Sequence, residues 1–451
     1  MRKILLFSLL AALFLGACTP APKTETAPVN PLEWSNDAVM YEVNVRQYTP
    51  EGTFNAFAEH LPRLKELGVE ILWFMPIHPI GEKNRKGSLG SYYSIRDYKA
   101  VNPEFGTIDD FKALVNKAHE LGFKVIIDCV ANHSAFDNVW TENHKDWYTQ
   151  DSLGNIIPPV ADWSDVADLN YDNTEMRAAM LDAMKFWVTE AGIDGYRCDY
   201  AGGVPTDFWE TARVALDSIK PVFMLAENED ALDLLNSAFE CNYGWTVHHL
   251  MKEIYEGKKN VTDIQGYFAK ADSTYPAGKY ILNFTSNHDE NSWNGTEYER
   301  LGESVKTYAA LSFTLPGMPL IYTGQEAGLN RRLAFFEKDS INWSLDTTMT
   351  TLYSKLIDLK KENPALWNGV AGGKIQFLQT SEPEKLLAFK REKDGNSVFV
   401  MMNLSAVPFN GTVQTGETKT YANWFTGENT EVSATNQVEL APWEYKIFVS
   451  K

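Results

Sequence analysis

With 451 residues and 44% hydrophobic side chains, the chain has material for a large core and a second, smaller module. Its formal net charge of -19 argues against nucleic acid as a partner, because a phosphate backbone needs a basic stripe; a neutral substrate is compatible with that surface. Aromatic side chains reach 13%, including 13 Trp, which suits barrel packing and also clefts in which sugar rings stack on flat faces.

The chain opens on an export segment. Arg2 and Lys3 precede an apolar stretch, Ile4–Leu15, too short to span a bilayer as a mature helix, so residues 1–17 read as a signal peptide. The run Leu15-Gly16-Ala17-Cys18 resembles a bacterial lipobox. Cleavage before Cys18 would free that thiol for lipidation and tether the protein to a membrane surface. The alternative is an ordinary signal peptide with an incidental Cys. Thr19–Pro31 has the Pro/Ala/Thr composition of a spacer, so residues 18–33 form a lipidated linker. The expected location is exported and lipid-anchored, on the periplasmic or cell-surface face of a bacterial membrane.

From Ala38 onward, short apolar runs alternate with amphipathic helical stretches, the pattern of a parallel α/β sheet. The predicted strands are Val39–Val45, Glu70–Met75, Lys124–Asp128, Asp194–Asp199, Val222–Glu227, Phe239–Tyr243, Tyr280–Thr285 and Leu320–Thr323. Between them, Thr107–Leu121 starts on a Thr cap with acids in its first turn and closes at Gly122, and Asn173–Ala191 closes likewise at Gly192. Eight such units predict a closed (β/α)8 TIM barrel over residues 34–365. An open doubly wound sheet is disfavoured, since no Gly-rich phosphate loop follows the first strand. Ile77–Gly106 and Asn132–Asp172 are too long for simple loops. The second of these is a short insertion domain of about 133–172 after strand three, on the face where barrel active sites are built. After Pro364 the pattern becomes antiparallel. Lys374–Gln379, Leu386–Arg391, Ser397–Leu404 and Tyr445–Val449 read as strands, with Lys393-Asp394-Gly395-Asn396 as a hairpin turn, giving a C-terminal antiparallel β-sandwich domain over 366–451. Cys129, Cys198 and Cys241 match no metal spacing and are an odd number; the first two fall in apolar strands and read as buried free thiols.

Barrel enzymes carry catalytic groups at the carboxyl ends of their strands. Those ends hold Asp128, then Arg197 and Asp199 on one strand face, then Glu227, then Asn287-His288-Asp289. Any one acid alone reads equally well as a cap or a local pair, but buried carboxylates clustered at several strand ends are costly without a use. A retaining glycosidase has such a use. One carboxylate attacks the anomeric carbon while a second protonates the leaving oxygen, and a neighbouring Arg favours the ionised form of the nucleophile.

The residues that carry this chemistry resemble glycoside hydrolase family 13, the α-amylase family. Its four signatures stand as Asp128-Cys129-Val130-Ala131-Asn132-His133, Gly195-Tyr196-Arg197-Cys198-Asp199, Phe223-Met224-Leu225-Ala226-Glu227 and Phe284-Thr285-Ser286-Asn287-His288-Asp289. Weaker signatures are Gly68–Pro76, Asp168-Leu169-Asn170 and Gly317–Glu326. The resemblance covers roughly Ala38 to Lys451, and it implies roles for the matching positions. Asp199 would be the nucleophile, Glu227 the acid/base, and Asp289 the residue that grips sugar hydroxyls in the transition state. His133 and His288 would bind the same sugar, with Asp128 and Asn287 beside them, and Arg197 would orient Asp199. Tyr93 matches the tyrosine that stacks on the ring at the cleaved bond, with Tyr92 as a competing candidate.

No cofactor is needed for this chemistry. The family's Ca²⁺ ligands correspond to Asn132 and Asp168, an oxygen-rich pair that does not by itself complete a shell of six to eight. The alternative is that the two tie the insertion to the barrel through hydrogen bonds. Gly202-Gly203 replaces the Lys-His often found after the nucleophile, so the resemblance does not carry the usual contact to the leaving-group sugar over to this chain. The resemblance implies an α-glucan or maltooligosaccharide substrate cleaved at α-1,4 bonds. The alternatives on the same barrel are an α-glucosidase, a cyclomaltodextrinase or neopullulanase, or an α-1,6-glucosidase. A non-catalytic glycan-binding lipoprotein is the reading from another class; the retained Asp199, Glu227 and Asp289 count against it.

Overall fold

The computed structural model describes residues 32–344 and 346–450. The signal peptide, Cys18 and nearly all of the linker lie outside the described residues. Among those described, no helix is long and apolar enough to cross a membrane.

Eight parallel strands close into a barrel. In chain order they are β1 (Met40–Val43), β2 (Ile71–Phe74), β3 (Lys124–Cys129), β6 (Gly195–Cys198), β7 (Phe223–Ala226), β8 (Cys241–Tyr243), β9 (Tyr280–Asn283) and β10 (Met318–Tyr322), with β10 pairing back onto β1. Two further strands, β4 (His133–Ala135) and β5 (Val166–Asp168), form an antiparallel pair inside the insertion after β3. Side chains alternate along each strand, so one set fills the barrel and the other packs beneath the helices. Met40, Ile71, Trp73, Ile126, Phe223, Leu225, Tyr243 and Leu320 belong to the inner cluster. Tyr196 belongs to the outer set; its hydroxyl donates to the Met184 carbonyl of the overlying helix.

Helix limits follow local chemistry. Thr107 caps Ile108–Glu120 in a capping box with Asp110, and the Asn173 carboxamide accepts from Glu175 and Met176 at the head of Thr174–Glu190. Each of the eight strands stands where the sequence predicts one, with ends that move by one or two residues. The sixth is shorter than Phe239–Tyr243, because Phe239 donates its N–H to Leu234 and is spent on the end of helix Leu234–Ser237. The eighth begins earlier than Leu320: Pro319 sits near the start of β10 and pairs with Asn283, a place where a missing N–H is tolerated.

The C-terminal module stacks a six-stranded sheet on a three-stranded one around Leu386, Phe399, Phe409, Val438 and Phe448. The expected strand Lys374–Gln379 is in fact two short ones in different sheets, Ile375–Phe377 and Gln379–Thr380. Phe409–Gln414, Lys419–Asn423, Asn429–Val432 and Thr435–Leu440 are strands that the sequence reading passed over. The hairpin turn stands as expected, with Lys393 opposite Asn396 and both Asp394 and Gly395 at positive φ. Arg391, fully buried, joins the module to the barrel by donating to the carbonyls of Thr314, Leu315, Gly373, Leu366 and Trp367.

Candidate active site

Arg197 sits at the centre of the barrel mouth, fully buried. It reaches that place because β6 lies tight against β7: a Cβ on Gly195 would stand 1.9 Å from the Phe223 carbonyl oxygen, so only glycine fits there. Arg197 Nη1 donates to Asp128 Oδ1 at 2.9 Å and to Asp199 Oδ1 at 2.8 Å. Its Nη2 lies 3.0 Å from Glu227 Oε2, an ion pair without hydrogen-bond alignment. One guanidinium therefore bridges the carboxylates of three strands. Its faces meet the rings of Trp73 at 5.1 Å and of Tyr93 and Tyr243 at 5.6 Å each.

Glu227 gains a second anchor. Tyr200, in the left-handed region at φ 43°, turns its backbone N–H onto Glu227 Oε2 at 2.8 Å. Gly203 makes room for that turn, since a Cβ there would lie 2.5 Å from the Tyr200 ring.

A relay runs across the mouth from β1. The Tyr93 hydroxyl donates to Asp128 Oδ2 at 3.1 Å and lies 2.8 Å from His288 Nε2, with the two rings stacked at 5.1 Å. His288 Nδ1 is 2.5 Å from Glu42 Oε1, and Asp289 Oδ2 is 3.4 Å from Nε2. The chain of contacts closes when His288 carries both protons, donating to Glu42 on one side and to the Tyr93 oxygen on the other.

Electrostatics follow burial and partners. Burial raises Asp199 to about 6 although Arg197 pulls it down, and burial with Asp199 and Asp289 raises Glu227 to about 7 against Arg197. Arg197 favours the ionised form of Asp199, as the sequence predicts, while desolvation lifts the group above the ordinary carboxylate range. Burial likewise raises Asp128 to about 6. For His288 burial acts downward, but Asp289 and Glu42 outweigh it and carry the imidazole up to about 9. Burial lowers His133 to about 4, leaving it neutral.

The structure brings Asp128, Arg197, Asp199, Glu227, His288, Asp289 and Tyr93 into one cluster. Tyr93, rather than Tyr92, faces it, because Tyr92 donates away to Asn44. His133 stands near it at the start of the insertion, its ring 5.5 Å from that of Trp163. Asn287 is fully buried, and its carboxamide oxygen accepts from the Glu290 N–H at 2.8 Å. Sequence reasoning missed Glu42, Trp73 and Tyr243. A glutamate alternating into the barrel from an apolar first strand was the available signal for Glu42.

Asn132 and Asp168 meet through the β4–β5 pair: Asp168 lies opposite His133, Leu169 donates its N–H to the Asn132 carbonyl at 3.3 Å, and Asn132 Nδ2 is 3.3 Å from His133 Nδ1. Among the described residues no group of three or more His, Cys, Asp or Glu converges to hold a metal ion. Asn132 and Asp168 would supply two of the six to eight oxygens that a Ca²⁺ ion takes, and the Leu169–Asn132 hydrogen bond joins the insertion to the residue that follows β3. Cys129, Cys198 and Cys241 are free and buried.

Comparison with known proteins places this arrangement. Residues 30–163 and 160–399 match the family model of the alpha amylase catalytic domain. The chain belongs to the α-amylase family of glycoside hydrolases. Residues 375–447 match the maltogenic amylase C-terminal domain. A maltogenic alpha-amylase of Thermotoga neapolitana superposes with a TM-score of 0.84 at 30% identity, over 92% of this chain and 98% of that one. An alpha-amylase of Lactobacillus plantarum gives 0.81 at 31% identity, over 92% and 99%. An alpha-amylase of Haloarcula japonica is 28% identical over 87% of this chain, which spans 58% of that protein's length.

Proposed function

We propose that the chain hydrolyses α-1,4-glucosidic bonds in starch or maltooligosaccharides with retention of anomeric configuration. The observation that carries this reading is Arg197 bridging Asp199 and Glu227 at the mouth of the barrel. Glu227 donates its proton to the glycosidic oxygen as that oxygen leaves C1. Asp199 attacks C1 to form a covalent glycosyl-enzyme, and Glu227, now ionised, takes a proton from the water that releases it. Asp289, the most open of the three with its side chain 37% exposed, grips hydroxyls of the distorted sugar. Tyr93 and His288 floor the site, and neutral His133 hydrogen-bonds the ring; Asp128 holds Tyr93 and Arg197 in place.

A second reading, cyclomaltodextrinase or neopullulanase specificity, draws support from the maltogenic-type C-terminal domain and from a cyclomaltodextrinase of a Bacillus species, 25% identical over 83% of this chain. Product analysis on soluble starch, cyclodextrins, pullulan and short maltooligosaccharides separates the two. Mixed oligosaccharides from starch support the first, and preference for cyclodextrin or pullulan supports the second. Inactivity on all four contradicts both.

The lipobox reading gives a location. The protein is tethered through Cys18 to the outside of a bacterial membrane, with Thr19–Pro31 as spacer. Cys18→Ala should leave membranes and appear in the soluble fraction; unchanged membrane partition contradicts the anchor.

A further inference from the structure

Among the described residues, only two aromatic rings are strongly exposed, Tyr200 at 43% and Trp293 at 51%. Both stand beside the cluster. Tyr200 follows Asp199 directly, and Trp293 comes four residues after Asp289. The strands before them, β6 and β9, lie three places apart around the eight-stranded barrel, so the two rings stand on different walls of its mouth.

Trp293 is exposed on a rigid support. It lies in a π-helical turn, Glu290–Asn294, a rare form that occurs most often at functional sites. That turn is braced to the segment after β10. Asn291 Nδ2 donates to the Arg331 carbonyl at 3.1 Å, the Leu333 N–H donates to Asn291 Oδ1 at 2.8 Å, and Ser292 Oγ donates to the Leu333 carbonyl at 3.2 Å. The indole packs against Phe335 at 5.1 Å and Phe336 at 5.5 Å, both rings tilted to it. Phe335 in turn lies parallel to Tyr93 at 6.4 Å, and Tyr93 stacks on His288. A ladder of flat rings therefore leads from the catalytic floor to an open indole. So large an apolar ring is half open to water, yet three hydrogen bonds hold its turn in that place.

We propose that Trp293 is a glucan-binding platform: its open face stacks on the pyranose ring of a glucosyl unit other than the one being cleaved, and so sets the preference for longer chains. The inference rests on the glucan-hydrolase reading above and names a further subsite for it. The chemistry fits a neutral sugar. A pyranose offers an apolar C–H face of the indole's own size, and an anchored ring stacks at little entropic cost.

The test compares maltoheptaose, which reaches beyond the catalytic sugar, with α-glucosyl fluoride, a one-ring donor that does not. In Trp293→Ala the ratio of kcat/KM for maltoheptaose to that for α-glucosyl fluoride should fall about five- to tenfold, chiefly through KM, the size of a lost aromatic stacking contact. Trp293→Phe should recover most of that ratio. An unchanged ratio, or equal loss on both substrates without recovery in Trp293→Phe, overturns the platform and leaves Trp293 a packing residue. Thermal midpoints of the variants separate loss of folding from loss of binding. Failure of the wild-type protein on maltoheptaose would instead contradict the glucan-hydrolase reading itself.

Discussion

Burial disfavours the ionised form of each carboxyl group around Arg197, and the single guanidinium offsets that cost unevenly. Burial raises Asp199 to about 6 and Glu227 to about 7, and the two titrate as a pair, so one carboxyl is ionised while the other still holds a proton chiefly between these values. The kcat/KM profile should be a bell with its acid limb from Asp199 and its alkaline limb from Glu227; a plateau extending above pH 9 would contradict the assignment. Glu227→Gln should lower activity on glucans by at least about 100-fold. It should also stabilise the fold at alkaline pH. Glu227 has a folded-state pKa above its unfolded value, so the stability it contributes is present below the unfolded pKa and is lost as pH rises through about 7. The gain in Tm from Glu227→Gln should therefore be larger at pH 8 than at pH 4. The reverse order would show that this carboxyl is not held protonated by burial. Glu42 works one contact further out, through His288. Glu42→Gln keeps the shape and removes the charge, so the His288 imidazole should titrate at least about one pH unit lower by NMR than in the wild type. An unmoved titration would leave Glu42 a filler of the barrel.

At the level of elements, legibility tracked how strongly each segment is specified locally. Helices Ile108–Glu120 and Thr174–Glu190 announce themselves by capping residues and by closing glycines, and their ends came within a residue. Barrel strands are buried on both faces and read as apolar runs. The C-terminal strands were harder because only one face is covered: in Thr435–Leu440 only Val438 and Leu440 are buried among polar neighbours, a pattern that resembles a loop. The joint between barrel and sandwich was invisible for another reason. Arg391 sits in the charged run Lys390–Lys393 at the end of its strand, which reads as a solvated edge, and nothing in its neighbourhood along the chain tells that five carbonyls await it. Arg391→Met fills similar space but orphans those acceptors, and should destabilise the protein by about 3 kcal/mol or more in urea unfolding. A loss below about 1 kcal/mol would show that water replaces the guanidinium there.

Over the whole molecule, the site joins residues as distant as Glu42 and His288, 246 positions apart, because parallel strands deliver their carboxyl ends to one mouth. Asp128, Arg197, Asp199 and Glu227 were legible since each stands at the mouth end of a barrel strand with a charge that burial alone would forbid, and Asp289 through the Asn287-His288-Asp289 run that follows β9. Glu42 and Trp73 were not, because their meaning depends on what stands opposite them in the closed barrel. As the nucleophile, Asp199 becomes covalently glycosylated during turnover, and a fluorinated glycosyl donor traps that species. Peptide mass spectrometry should place the label on the peptide containing residues 195–200, with proton NMR showing α-anomers as first products. A label on Asp128 or Asp289, or β-anomers as first products, would contradict the account.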